Sequence, residues 1–186
     1  MLPPMTGGTA PALAPRAWPV ITFNQEIKFY FNDDIIKIFH VPEAHTDGDA
    51  IIHFERADVI HAGDVFFNGR YPNIDNGAGG TLSGMIAALE QIAQSAGPQT
   101  RIIAGHGPIG QRSDVLAAAA MLRVVRERVA CLIANGQSED EAVAAEPLRD
   151  LEADWAWFIR GERMVRHAYL SLTRAHAPDP ATFCLN

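Results

Sequence analysis

Cysteine is almost absent: the 186 residues include two, Cys131 inside a helical pattern and Cys184 near the C-terminal end. They support neither a disulfide framework nor a cysteine-based zinc cluster. No run of about 18 apolar residues exists that could span a bilayer, and the opening MLPPMTGGTAPALAPRAWP lacks the basic start and apolar stretch of a signal peptide. Cationic excess is also lacking, since 15 Lys and Arg against 22 Asp and Glu give a net charge of −7. That leaves no electrostatic footprint for a phosphate backbone. The expectation is a cytoplasmic protein with no membrane partner and no nucleic-acid partner. Two catalytic signatures are missing as well. There is no G-x-S-x-G elbow, Ser83-Gly84 falling inside a helical pattern, and the GAGG ending at Gly80 lacks both the Lys-Ser/Thr of a P-loop and a preceding strand.

What is present organises as one domain. Residues 1–18, rich in Pro, Gly and Ala without periodicity, read as a flexible lead-in. Residues 19–64 are strand-rich: VITF from Val20, EIKFYF, a hairpin at Asn32-Asp33, DIIKIFHV, AIIHF and DVIHAGD. Residues 65–115 alternate strand and helix. A loop VFFNGRYPNIDNGAGG leads to Thr81, a candidate cap for a helix with Leu82, Met85, Ile86, Leu89 and Ile92 on one face, then to a strand RIIAG. Residues 116–186 are helical, with a long helix over 112–134 closed by Asn135-Gly136, a capping box at Ser138 and Glu141, and a last helix over 161–175. Strands first and alternation after indicate a layered α/β (α+β) domain.

Three strand ends carry a polar tip: His45 after IIKIFHVPEA, Asp64 after ADVIHAG, and His106 after TRIIAG. Rigid strand ends with converging loops are where such architectures assemble sites. Imidazole with carboxylate suits zinc or iron. Taken singly, each has an ordinary explanation as a turn, surface or packed residue. The glycines on both sides of His106 point further, because they permit close backbone approach. Asp47 and Asp49 are placed to accept the spare ring N–H of a ligating histidine, and Asn68 and Tyr71 to line a pocket. His53 and His61 read as packed, hydrogen-bonded strand residues.

The segments AHTDGDAIIHF, VIHAGDVFF and IIAGHGP together resemble the metallo-β-lactamase-fold hydrolases, a superfamily that includes the hydroxyacylglutathione hydrolases. YPNID with the following GG-x-L-x-GMIAAL is similar to a subgroup of that fold without a settled substrate. The resemblance implies a metallo-β-lactamase-like αββα sandwich and a zinc centre of one or two ions. It makes His45 and His106 terminal metal ligands and Asp64 the bridging ligand at the chemistry. It further implies metal-activated water attacking a small-molecule ester, thioester, lactone, lactam or phosphoester.

The family's H-x-H-x-D-H motif, which supplies further ligands to both metals, occurs nowhere: of seven histidines none stands two residues from another. Residues 19–186 therefore read as a partial domain with its N-terminal sheet largely missing and its activity impaired. Such a chain would leave an apolar sheet face, formed by Val20, Ile36, Ile38, Ile51 and Ile60, without a covering layer. The alternative is a non-catalytic remnant or interaction module that forms a homo-oligomer or docks a complementary N-terminal chain.

Overall fold

The hairpin expected at Asn32-Asp33 forms. In the computed structural model of the protein, which describes residues 14–175, it joins strands β1 (Glu26–Phe31) and β2 (Asp34–His40) antiparallel. Both turn residues have positive φ, 51° and 58°, as in a two-residue type I′ turn, which Asn and Asp tolerate. β3 (Ala50–Phe54) and β4 (Val59–Phe67) extend the sheet antiparallel, and β5 (Arg101–His106) joins β4 in parallel. Strand order is sequential, β1 to β5. The parallel step requires a crossover, and α1 (Leu82–Ser95) supplies it.

Two strand expectations shift. VITF is irregular, with Val20 fully exposed and Ile21 59% exposed. Its β-branched residues have neither a ladder partner nor a surface to cover, so propensity alone does not make a strand. β4 instead runs past Asp64, because Val65, Phe66 and Phe67 are buried and the pairing with β5 continues to Phe67 opposite His106. The loop therefore starts at Asn68. Of the lead-in read over 1–18, residues 1–13 lie outside the described residues, as do His176 and Cys184; Pro15–Ala17 forms a single 3-10 turn.

The helices follow the sequence pattern closely. Thr81 caps α1 by accepting from the Gly84 N–H at 2.9 Å, and the expected apolar stripe of α1 is its buried face. α2 (Arg112–Ala134) stops at Asn135, with Gly136 in the left-handed region at φ 78°. Ser138 and Glu141 close the capping box of α3 (Glu139–Ala144). α4 (Glu152–Trp155) is a single turn, and α5 (Gly161–Ala175) packs against α1 and α2. Among the described residues no helix is long and apolar enough to cross a membrane.

Register sorts the strand residues between two unlike faces. Phe39, Ile51, Ile60 and Ile102 point toward the helices and are buried. Their strand neighbours Ile38, Ile52, His61 and Ile103 lie side by side on the other face, continuing a row from Ile27. A second row there runs from Phe29 through Ile36 and Phe54 to Val59. Phe29 is 39% exposed and no residue of either row is fully buried. The uncovered apolar face thus exists, with changed membership. Ile36 and Ile38 belong to it, Ile51 and Ile60 lie under the helices, and Val20 is in no strand. His61, expected to be packed, is exposed on this face.

The N-terminal end of α1 docks on the segment after β2 through missing side chains. A Cβ on Gly84 would sit 2.0 Å from the Glu43 carbonyl oxygen, and one on Gly80 would sit 2.1 Å from that of His45. In an open helix Gly→Ala gains about 1 kcal/mol. Here Gly84→Ala is expected to reverse that sign and destabilise by about 1–3 kcal/mol through overpacking against backbone. A urea midpoint that is unchanged or raised would show that residues 43–45 are not held this way.

Candidate metal centre

Asp64 sits where β4 leaves regular pairing. Two residues of β4 oppose one of β5 between His61 and Gly63, and four oppose two between Gly63 and Phe67. Bulges of this kind bend a strand and re-aim a side chain, and Gly63 takes the positive φ, 53°, that the first one needs. On β5, a Cβ at Gly105 would lie 2.2 Å from Asp64 Oδ1 and 2.7 Å from the Gly63 backbone. The glycine before His106 is therefore the space that the Asp64 carboxylate occupies. Gly107, at φ 104°, packs against the Asn68 backbone in the same way.

The two imidazoles meet that carboxylate from different sides. Nε2 of His45 lies 3.7 Å from Oδ2, and Nε2 of His106 lies 3.5 Å from Oδ1. His45 Nδ1 stands 2.8 Å from the Asn73 carbonyl oxygen. A carbonyl only accepts, so Nδ1 carries the proton and Nε2 is left with its lone pair toward Asp64. His106 is held by its ring, stacked on Phe67 at 4.8 Å and tilted against Trp157 at 5.1 Å.

Two donors on one tetrahedral zinc ion, each about 2.0–2.1 Å from it, stand about 3.3 Å apart. Each histidine–carboxylate pair is close to that spacing. Among the described residues no three His, Cys, Asp or Glu side chains converge as a single-ion site. Each imidazole approaches a different oxygen of Asp64, so the three side chains meet pairwise about one carboxylate.

Supporting roles fall on other residues than those read from the sequence. Asp49 accepts from the Thr46 N–H and hydroxyl and so stabilises the turn after His45, while Asp47 meets His40 Nε2 at 2.6 Å through its backbone carbonyl; the His45 ring is oriented by neither. The Asn73 backbone does so instead, and no side-chain pattern signals it. Asn68 gives its amide to the Pro108 carbonyl, bracing the loop after His106. Tyr71 is fully buried, and burial pushes its phenol pKa up. It is core, not pocket lining, and its backbone holds the loop that carries Trp157.

Sequence reasoning also passed over the anchor from α5. Asn76 donates to the Ser171 hydroxyl at 2.9 Å and to the Gly80 carbonyl at 3.1 Å, and Ser171 accepts from the Leu82 N–H at 3.0 Å. Arg174 donates to the Asn76 carbonyl, and His167 Nδ1 lies 3.4 Å from Asn76 Oδ1. The available signal was the polar stripe His167, Ser171, Arg174 at helical spacing on an otherwise apolar face. This network ties the loop bearing Asn73 to the helical layer, and so fixes His45 from behind.

No family model matches the chain, and no curated protein matches it by sequence. Solved structures do. A double mutant of the sec-alkyl sulfatase PisA1 superposes on 91% of this chain and 29% of its own at a TM-score of 0.63 and 14% identity. The stereoselective inverting sec-alkylsulfatase Pisa1 from Pseudomonas sp. covers 90% of this chain and 28% of its own at 0.63 and 13% identity. A metallo-β-lactamase from Pontibacter korlensis covers 56% and 49%, at a TM-score of 0.49 and 19% identity. The fold is metallo-β-lactamase-like. The chain spans less than half the length of each of these structures.

Burial is the main cause that lowers the His167 pKa to about 4; Arg163 and His45 add to it and Asp75 opposes it. The unfolded chain therefore binds more protons than the folded one between about pH 6.5 and pH 4. Stability from this group is complete above the upper value and is lost as pH falls toward the lower, by about 3 kcal/mol at most. His167→Gln is expected to flatten the pH dependence of thermal stability across that window. An equally steep dependence in the variant would assign it to other groups.

Proposed function

We propose that this chain supplies the bridging ligand and one terminal ligand to each half of a dinuclear zinc centre that hydrolyses a small-molecule ester, thioester, lactone, lactam or phosphoester. The observation that carries this reading is the separate approach of two imidazole Nε2 atoms to the two oxygens of Asp64. A structure of similar fold, a sec-alkylsulfatase, is a hydrolytic enzyme, which supports this reaction class. Zinc bound by His45, Asp64 and His106 would polarise the scissile bond and bring the pKa of a water toward neutrality. The chain's own residues do the rest. Asn73 fixes the tautomer of His45, Gly105 lets Asp64 reach between the rings, and Phe67 with Trp157 limits rotation of His106.

Two ligands per half-site fall short of the three or four that hold zinc firmly. In this reading the remaining donors come from a complementary N-terminal segment, and the sheet face left exposed among the described residues is the surface that would seat it. Each aliphatic or aromatic side chain buried there would contribute about 1.5–3 kcal/mol. Titration against a chromophoric chelator is expected to show weak uptake of at most about one zinc per chain, abolished in Asp64→Asn. Two tightly held ions per chain would overturn the need for a second segment, and no uptake at excess zinc would remove the metal reading altogether.

The same face favours a second reading, an interaction module without chemistry of its own. In that reading the face closes against a second copy of the chain. Light scattering is expected to show self-association that Ile38→Asp with Ile52→Asp disperses. A monodisperse monomer of the native chain would count against any role for the face in assembly.

A further inference from the structure

The segment between α4 and α5, residues 156–160, is pinned along its length. The Trp157 indole N–H donates to the Tyr71 carbonyl at 3.1 Å, the Trp157 N–H to the Ile159 carbonyl at 3.2 Å, and the Gly161 N–H to Glu152 at 2.8 Å. Ile159 is fully buried as the anchor. Held this way, Trp157 meets the His106 ring at 5.1 Å, while the next residue, Phe158, meets Trp157 edge-on at 6.0 Å and stands 70% exposed. Arg163, one turn into α5, lies 5.6 Å from the Phe158 ring centre and donates to the Asn73 side-chain oxygen at 3.4 Å. The Asn73 carbonyl is the partner of His45. One continuous wall thus runs from His106 through Trp157, Phe158 and Arg163 to the support of His45, with Asp64 between its ends.

The wall also carries charge, on Arg163 and Arg70. Arg123, Arg128 and Arg166 are each joined to a carboxylate. Arg163 has no carboxylate within ion-pair distance among the described residues, and neither does Arg70, whose guanidinium lies 4.5 Å from the Trp157 ring centre. In a chain of net charge −7, two cations left to aromatic rings keep their capacity to bind an anion. An exposed phenylalanine is unremarkable alone. Beside an ordered tryptophan and a guanidinium with no carboxylate partner among the described residues, it makes an amphipathic surface of aromatic rings and cations next to the candidate ligands.

We infer that this wall is the substrate-recognition surface, and that the substrate carries an apolar body seated on Trp157 and Phe158 and an anionic group held by Arg163, remote from the bond to be cleaved. The inference rests on the hydrolase reading for the word substrate; the binding it describes needs no metal. Arg163 determines specificity by charge, and Phe158 contributes area without regard to charge.

The test uses three probes with one body, 4-phenylbutyrate, 4-phenylbutanol and 4-phenylbutylamine, titrated into the chain and followed by ligand-observed NMR. The acid is expected to bind at least about fivefold more tightly than the alcohol, a difference of about 1 kcal/mol, and the amine no more tightly than the alcohol. Arg163→Gln should bring the acid down to the affinity of the alcohol, Arg163→Lys should keep part of the preference, and Phe158→Ser should weaken acid and alcohol alike. Equal affinities in the native chain, no binding of the acid, or a preference that survives Arg163→Gln would overturn the inference. If Arg163→Gln does not fold, Phe158→Ser decides, because an unchanged affinity for both probes in that variant would show that they bind elsewhere. Probe discrimination in a chain that takes up no zinc would sink the hydrolase reading alone. Zinc uptake with indifferent probe affinities would sink the recognition surface alone.

Discussion

The distance of closest approach between backbones governs this molecule. At Gly105 the β5 chain lies so near the Asp64 carboxylate and the Gly63 backbone that a single methyl group has no room. At Gly80 and Gly84 the start of α1 lies equally near the carbonyls of His45 and Glu43. These contacts bring His45, Asp64 and His106 within reach of one another. Were any of them moved outward by the thickness of a side chain, the two imidazoles would no longer share the Asp64 carboxylate. Glycine is the only residue that permits this, since the obstruction is fixed backbone and cannot be relieved by a rotamer change.

That constraint also explains why the sheet has unlike faces. The helical layer is drawn in by the same contacts: α1 by its glycine-lined N-terminus, and α5 by the hydrogen bonds from Asn76 to Ser171 and from Leu82 to Ser171. It covers Phe39, Ile51, Ile60 and Ile102 completely or nearly so. Among the described residues nothing comparable lies over the row of Ile27, Ile38 and Ile52. An apolar face of that extent is stable in water only when covered, and it begins on the strand that carries Asp64.

How far the sequence disclosed this depends on the range of the interaction. The hairpin at Asn32-Asp33, the Thr81 cap and the Ser138–Glu141 box are local, and their residue types state their conformations outright. That His45, Asp64 and His106 stand near one another could be anticipated because each follows an apolar run. The bulges that swing Asp64 out of the ladder could not, since they depend on the register between β4 and β5, which no single strand specifies. The Asn73 carbonyl that orients His45 is backbone, so composition says nothing of it. VITF failed in the opposite sense: its propensity was plain, but the partner strand was absent. Trp157 reaches His106 from a segment about 50 residues further along the chain, a contact of the kind that only packing creates.

Asp64 and Arg163 divide the electrostatics of the centre between them. The carboxylate stands between two imidazoles, while the guanidinium, held by Asn73 and the Phe158 ring, has no carboxylate partner among the described residues. Were both charges together they would neutralise each other and the surface would discriminate nothing. The rings of Trp157 and Phe158 keep them apart, presenting a stretch of low polarity across which neither charge is strongly hydrated. An approaching molecule with a charged end and an apolar body has one orientation that satisfies all three regions, with its anion on Arg163 and its opposite end beside Asp64. Orientation is then set before any chemistry begins, by residues of this chain alone.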